Sequence, residues 1–289
     1  MKHRKLAVSA IAMLATVGLV SACTPPDEGG NLPKVNWKFR GTQVQVIESQ
    51  DCVVIINCKD EPYLLNVGFR VKIGQPNSAQ TFVANNRNSA PQDVAPGSTI
   101  SVSPAAGGEL SFNDVTPVDL LDLGNTNNKL EIVGSYVWAS EQDSIGNGLA
   151  ADSTASMLKD ALNATLATAD ISGLDANAIL SLVMSNIGNA LGVAIQNVPL
   201  FGLGDDILGG GIYVGIGARG ALGGAIDALL GDTTIPTINL GLDVPPPITG
   251  GGIFTMTGAK TFNQTWTGRK GGLNPIDGKH QWWMTAGPA

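Results

Sequence analysis

Residues 63–73 read YLLNVGFRVKI, and the spacing inside them decides what kind of fold to expect. Val67, Phe69, Val71 and Ile73 occupy every second position, with Arg70 and Lys72 between them. Side chains alternate faces along a strand but return every 3.6 residues on a helix. A period of two therefore predicts a strand with one buried face. The same grammar extends on both sides. VNWKFR (35–40), TQVQVIE (42–48), STISVS (98–103), ELSFND (109–114) and KLEIVGSYVWA (129–139) are short runs rich in β-branched and aromatic residues. In the second of these, Val44 and Val46 alternate with Gln43 and Gln45. Turn clusters GQPNS, NNRNSAPQD and PAAGG separate the runs, as expected for six to eight strands in an antiparallel sandwich over residues 34–144.

From residue 145 to 231 the period changes. DSTASMLKDALNATLATA (152–169) opens on two good helix caps and stacks Met157, Leu158, Ala161, Leu162, Thr165 and Leu166 on one side. A second helix is predicted after Asp175, where Ile179, Val183, Ile187, Leu191 and Ile195 recur every fourth residue, and Pro199 ends it. A third, ARGALGGAIDALLGD (218–232), is looser because Gly223 and Gly224 each cost up to about 1 kcal/mol of helix propensity. No charge occurs between Ala176 and Gly204, and glycines sit four apart at Gly188/Gly192, Gly211/Gly215 and Gly220/Gly224. In a membrane that spacing lets helices approach closely. In a soluble protein the same stripe is the inward face of a helix. Asn177, Asn186, Asn189, Gln196 and Asn197 interrupt the run and favour the second reading.

The tail, 232–289, returns to strand-like sequence in GGIFTMTG, KTFNQTWTG and KHQWWMTAG. The expected fold class is α+β: an antiparallel β-sandwich with a glycine-rich helical block inserted before C-terminal strands. The last strands either join the sandwich or form a small sheet beside it.

The beginning of the chain has a different purpose. Lys2, His3, Arg4 and Lys5 form a basic head, Leu6 to Val20 is uncharged and mostly apolar, and Ser21-Ala22 are small. This describes an export signal over residues 1–22, whose apolar part is short of the roughly 20 residues a membrane span needs. Val20-Ser21-Ala22-Cys23 resembles the lipobox of bacterial lipoproteins, in which an aliphatic residue and two small ones precede the modified cysteine. That resemblance covers only the first 23 residues. It implies a diacylglycerol thioether on Cys23, removal of the leader, and anchoring in the cell envelope, at the outer face of the cytoplasmic membrane or on the periplasmic side. Residues 23–33, rich in Pro, Gly and polar groups, then read as a tether. Val-Ser-Ala also suits ordinary signal cleavage, which would leave a free cysteine.

Charge narrows the function classes. The full chain has 17 basic and 24 acidic residues, net −7; the leader removes three of the basic ones, leaving −10. An acidic chain without a basic run excludes phosphate-tracking nucleic-acid binding. The two other cysteines, Cys52 and Cys58, are expected to pair in an exported protein. A straight strand between them would hold their Cα atoms roughly 20 Å apart, whereas a disulfide needs about 4.4–6.8 Å. Either the segment folds back or the thiols stay reduced. Two thiolates without histidine fall short of the four ligands a structural zinc site takes, and no metal or cofactor is expected.

Trp266, His280, Trp282 and Trp283, with Arg269, Lys270, Asn274, Asp277 and Lys279, form the strongest binding candidate: an aromatic-polar surface able to stack a sugar ring or a partner's side chain. Cell-wall glycan, lipid or another envelope protein are the partners this suggests. Outside the leader, His280 is the sole histidine, so any Ser-His-Asp site must use it, and no Gly-x-Ser-x-Gly turn is present. Glu131, Glu141 and Asp143 could supply a glycosidase-like carboxylate pair, and Glu141, Asp143 and Asn147 a calcium loop. Gly215-x-Gly217-x-x-Gly220 has the order of a dinucleotide turn but lacks the acidic strand end that should follow. The leading functional expectation is non-catalytic, a structural or recognition role. Lipid handling or membrane insertion through residues 176–230 comes second, and a carboxylate-based hydrolase third.

Overall fold

The computed structural model describes residues 32–49, 59–142, 148–196, 207–230, 248–268 and 278–289. Residues 32–289 form one compact unit. Among the described residues ten strands and three α-helices follow one another as β1 (Val35–Glu48), β2 (Pro62–Lys72), β3 (Gln80–Ala84), β4 (Thr99–Ser101), β5 (Leu110–Val115), β6 (Glu131–Glu141), α1 (Gly148–Ala164), α2 (Ala176–Gln196), β7 (Ile207–Ile216), α3 (Gly220–Leu230), β8 (Ile248–Thr255), β9 (Lys260–Thr267) and β10 (Lys279–Pro288). They make two five-stranded sheets. The first has the order β4-β1-β10-β9, with β5 also on β1; the second runs β3-β2-β6-β7-β8.

The α+β sandwich is the observed fold, with a layer of helices added to it. Strand β2 shows why. Val67, Phe69, Val71 and Ile73 are all buried, as their period requires, and they pack with Leu158, Leu162, Ile179, Val183 and Ile187 of α1 and α2. Leu64, on the opposite face, belongs instead to the core between the sheets with Trp37, Phe39, Val44, Trp282 and Met284. Both faces of the second sheet are therefore covered, and β6 is buried along its whole length. Arg70 reaches the edge of this layer and binds the buried Glu131 carboxylate, its Nε donating at 2.6 Å.

Three expectations need correction. The domain boundaries at 144 and 231 cut through both sheets: β8 joins the second, while β9 and β10 join the first, so of the two arrangements expected for the tail it takes the first and completes the sandwich. The helical block contains a strand, β7, whose glycines disguised it. Gly211 and Gly215 lie in that strand under the rings of Trp266 and Phe254, which occupy the space a Cβ would need. Gly188 and Gly192, on α2, face open space among the described residues, so within the described body their spacing is not used to pack one helix on another. Finally, the sheets are not wholly antiparallel, because β7 pairs with β8 in parallel across α3, the connection that parallel neighbours require.

Helix α2 is long and apolar enough to cross a membrane by length and composition. Its apolar row is used internally: Ile179, Val183, Ile187 and Leu191 are fully buried, whereas Asn177, Ser181, Ser185 and Asn189 are exposed. The Asp175 carboxylate starts the helix by accepting the Ala178 amide at 2.8 Å.

Candidate functional site

The predicted binding surface is not formed. β10 places alternate residues on opposite faces, and Trp282 and His280 share the inward one, each with no exposed area. Trp266 is 1% exposed, and its indole Nε1 donates to the Gly210 carbonyl at 3.0 Å. Trp283 alone stays on the outer face, half-buried, opposite Gln43 of β1 and Asn263 of β9. The four residues were read as one patch because they are close in sequence, but the strand's period of two divides them. Arg269, Lys270, Asn274 and Asp277 lie outside the described residues, as do Cys23, Cys52, Cys58, Asp143 and Asn147.

What the fold assembles around His280 is a buried polar cluster. Its Nε2 lies 2.6 Å from Asp60 Oδ2, and the Ser49 hydroxyl donates to Asp60 Oδ1. Both ring and carboxylate are wholly buried, and Ser49 is 2% exposed. Asp60 is fixed from behind by a two-way backbone bridge to Val94, at 3.0 and 2.9 Å. The order is serine, aspartate, histidine. A hydrolytic triad needs the imidazole between the other two, so that it can take the hydroxyl proton. Here the serine hydroxyl is spent on the carboxylate and is not activated. The cluster ties the end of β1, the entry to β2 and the start of β10 into one corner. His280 Nδ1 is buried with no hydrogen-bond partner among the described residues.

Of the three carboxylates, Glu131 and Glu141 cannot act as a pair, and any pair with Asp143 lies outside the described residues. Glu131 and Glu141 are the first and last residues of β6, and ten steps of strand separate them by roughly 33 Å. Glycosidase carboxylates need about 5–10 Å. No group of three or more potential metal ligands occurs among the described residues.

The Gly215-x-Gly217-x-x-Gly220 turn does join a strand to a helix in a β-α-β unit. Its anion position is filled by the chain itself. Asp119 Oδ1 accepts the Leu222 amide at 3.0 Å and the Leu120 amide at 2.7 Å, the place a phosphate would take. Gly220, at φ 56°, lies so close that a Cβ there would meet Asp119 Oδ2 at 2.1 Å. Burial pushes the Asp119 carboxyl up, but the Leu222, Leu120 and Ala221 amides and the Arg219 guanidinium outweigh it and hold the carboxyl below its usual range. A lowered folded value means that this cap contributes stability above the ordinary carboxylate range and loses it as pH falls through the folded value. Asp119→Ala is expected to cost about 0.5–2 kcal/mol in urea denaturation at neutral pH. Asp119→Asn, which keeps an acceptor, is expected to cost less and to flatten the acid limb of the stability curve.

At the same end of the molecule is a cavity of about 450 Å³. Its floor is Ile73 and Gly74; the segment from Leu120 to Leu130 forms one wall, and the turn from Ala169 to Leu174 the other. Leu123, Leu130, Ile171 and Leu174 make it largely apolar, with Lys129 and Asp170 as its charges. The Ser172 amide, donating at 2.9 Å, and the Ser172 hydroxyl hold the Asp170 carboxyl below its usual range, with Lys129 adding to the effect. The volume lies in the range of small-molecule sites, and the site is a half-open cleft rather than an enclosed cavity. Nothing in the sequence drew attention to it, because its walls come from two loops about 45 residues apart whose residues carry no motif.

No protein-family model, curated protein or solved structure matches this chain.

Proposed function

We propose that this chain is an exported, lipid-anchored protein of the cell envelope whose body recognises a small ligand rather than transforming one. The leader and the lipobox-like Val20–Cys23 support the address. The 450 Å³ cavity carries the recognition reading. An apolar floor with one ammonium and one carboxylate, Lys129 and Asp170, suits a compact amphiphile whose apolar part is excluded from water and whose anionic group meets Lys129 on the side away from Asp170. The ionisable side chains that a hydrolase would need support it from the other side: His280 is locked to Asp60, Glu131 to Arg70, and Asp119 to the start of α3.

The probe for this cavity is 1-anilinonaphthalene-8-sulfonate, an apolar dye of fitting size with one negative charge. One dye per chain is expected to bind with enhanced emission. Ser172→Trp, from one wall, and Thr126→Trp, from the other, are expected to reduce that binding at least about fivefold, because a bulky ring fills the space. Both residues are exposed, so the thermal midpoint is expected to hold. Unchanged dye binding in both variants would sink the reading.

A further inference from the structure

We infer that the Leu120–Leu121 tip is a membrane-contacting surface, holding the body with its cavity end against the bilayer. This rests on the lipid-anchored reading above and adds an orientation to it. Five large hydrophobic residues are well exposed among the described residues: Leu120, Leu121, Leu149, Val193 and Leu229. They do not lie together. Leu149 opens α1, just past the end of β6, and Val193 and Leu229 lie near the ends of α2 and α3, so these three share one end of the body. Leu120 and Leu121 share the other, and Leu121, at 90%, is the most exposed of all. Exposure alone leaves both ends as candidates.

The tether decides between them. The described body begins at Leu32, three residues before β1. Val35 at the start of β1 pairs with Val115 of β5, and Lys34 Nζ lies 3.8 Å from Asp114. Leu121 follows Val115 by six residues, so the chain enters the body at the end that carries the leucine tip. Nine steps separate Cys23 from Leu32. A chain of that length cannot reach further than about 30–32 Å. An acylated Cys23 therefore keeps this end of the body beside the lipid surface.

The tip suits that position. Between Leu120 and Asn128 the sole ionisable residue is Asp122, and its carboxylate is neutralised by Arg219 at 2.8 Å. The rest is glycine, threonine and asparagine beside the leucines, with Lys129 following. Two leucines would bind a bilayer weakly in free solution. A short tether raises their effective concentration to the millimolar range, where weak insertion suffices. The cavity then opens beside the membrane, since Leu120 lines it.

The test uses full-length acylated protein reconstituted in vesicles of phosphatidylethanolamine and phosphatidylglycerol in equal amounts, carrying brominated acyl chains. Trp37, Trp138, Trp266 and Trp282 are 2% exposed or less and Trp283 is half-buried, so the quenching of an added surface tryptophan is read as the difference from the wild-type chain. L121W is expected to lose at least about half of its added emission to bromine, and L149W, at the far end, about a tenth or less. L121W quenched no more than L149W overturns the orientation. The mass of the N-terminal peptide separates the two levels. An acylated Cys23 with equal quenching defeats this inference alone, whereas a Cys23 without an acyl group defeats the anchored reading and the orientation together.

Discussion

Asp60→Ala is expected to lower the unfolding free energy by about 2–6 kcal/mol, the cost of leaving two buried polar groups, the His280 imidazole and the Ser49 hydroxyl, without their partner. The carboxylate accepts from Ser49 on one oxygen and lies against His280 on the other, in a corner with no exposed area. Its loss leaves the imidazole without a partner on either nitrogen, and the serine hydroxyl without its acceptor, among the described residues. Each such orphan costs about 1–3 kcal/mol. Asp60→Asn preserves the shape and one acceptor and is expected to cost visibly less. Urea denaturation at neutral pH measures both. A loss under about 1 kcal/mol for the alanine variant would mean that the cluster does not hold β1, β2 and β10 together.

Trp282→Ala is expected to cost a similar amount, about 3–5 kcal/mol, by a different route. The ring is fully buried between the sheets. It lies flat on Gly41, where even a Cβ would come within 3.0 Å of its six-membered ring. Close-packed surroundings of this kind cannot collapse into the space an indole leaves. Trp282→Phe is expected to lose much less. It leaves a smaller hole and removes an indole N–H that has no hydrogen-bond partner among the described residues. A free-energy loss for Trp282→Ala no larger than for Trp283→Ala would contradict the assignment of inward and outward faces on β10.

Much of the scaffold was legible in local patterns. The alternation in residues 67–73 specified a strand, the four-residue stripe from Ile179 to Leu191 specified a helix, and Asp175 marked its start. Residues 35–40 and 42–48 read as two strands and form one, because β1 continues through a register shift between Gly41 and Gln43. Of β7 only the Ile212-Tyr213-Val214 triplet reads as strand, for the opposite reason. Its glycines lower strand propensity locally, and they are favourable only where Trp266 and Phe254 lie across them. The binding surface went astray at Trp282 and Trp283: adjacent in sequence, they occupy opposite faces of one strand.

Periodicity along the chain was enough to establish strands, helices and which of their faces avoid water, since burial of one face leaves its period in the residues themselves. It left open what covers each face. Val67, Phe69 and Val71 would show the same spacing under a second sheet as under α1 and α2. Tertiary structure alone chose the helices as their cover, laid β8 parallel to β7, and brought Asp60 to His280 across 220 residues. Those choices depend on contacts between distant segments, whose free energy appears only after the chain has closed on itself.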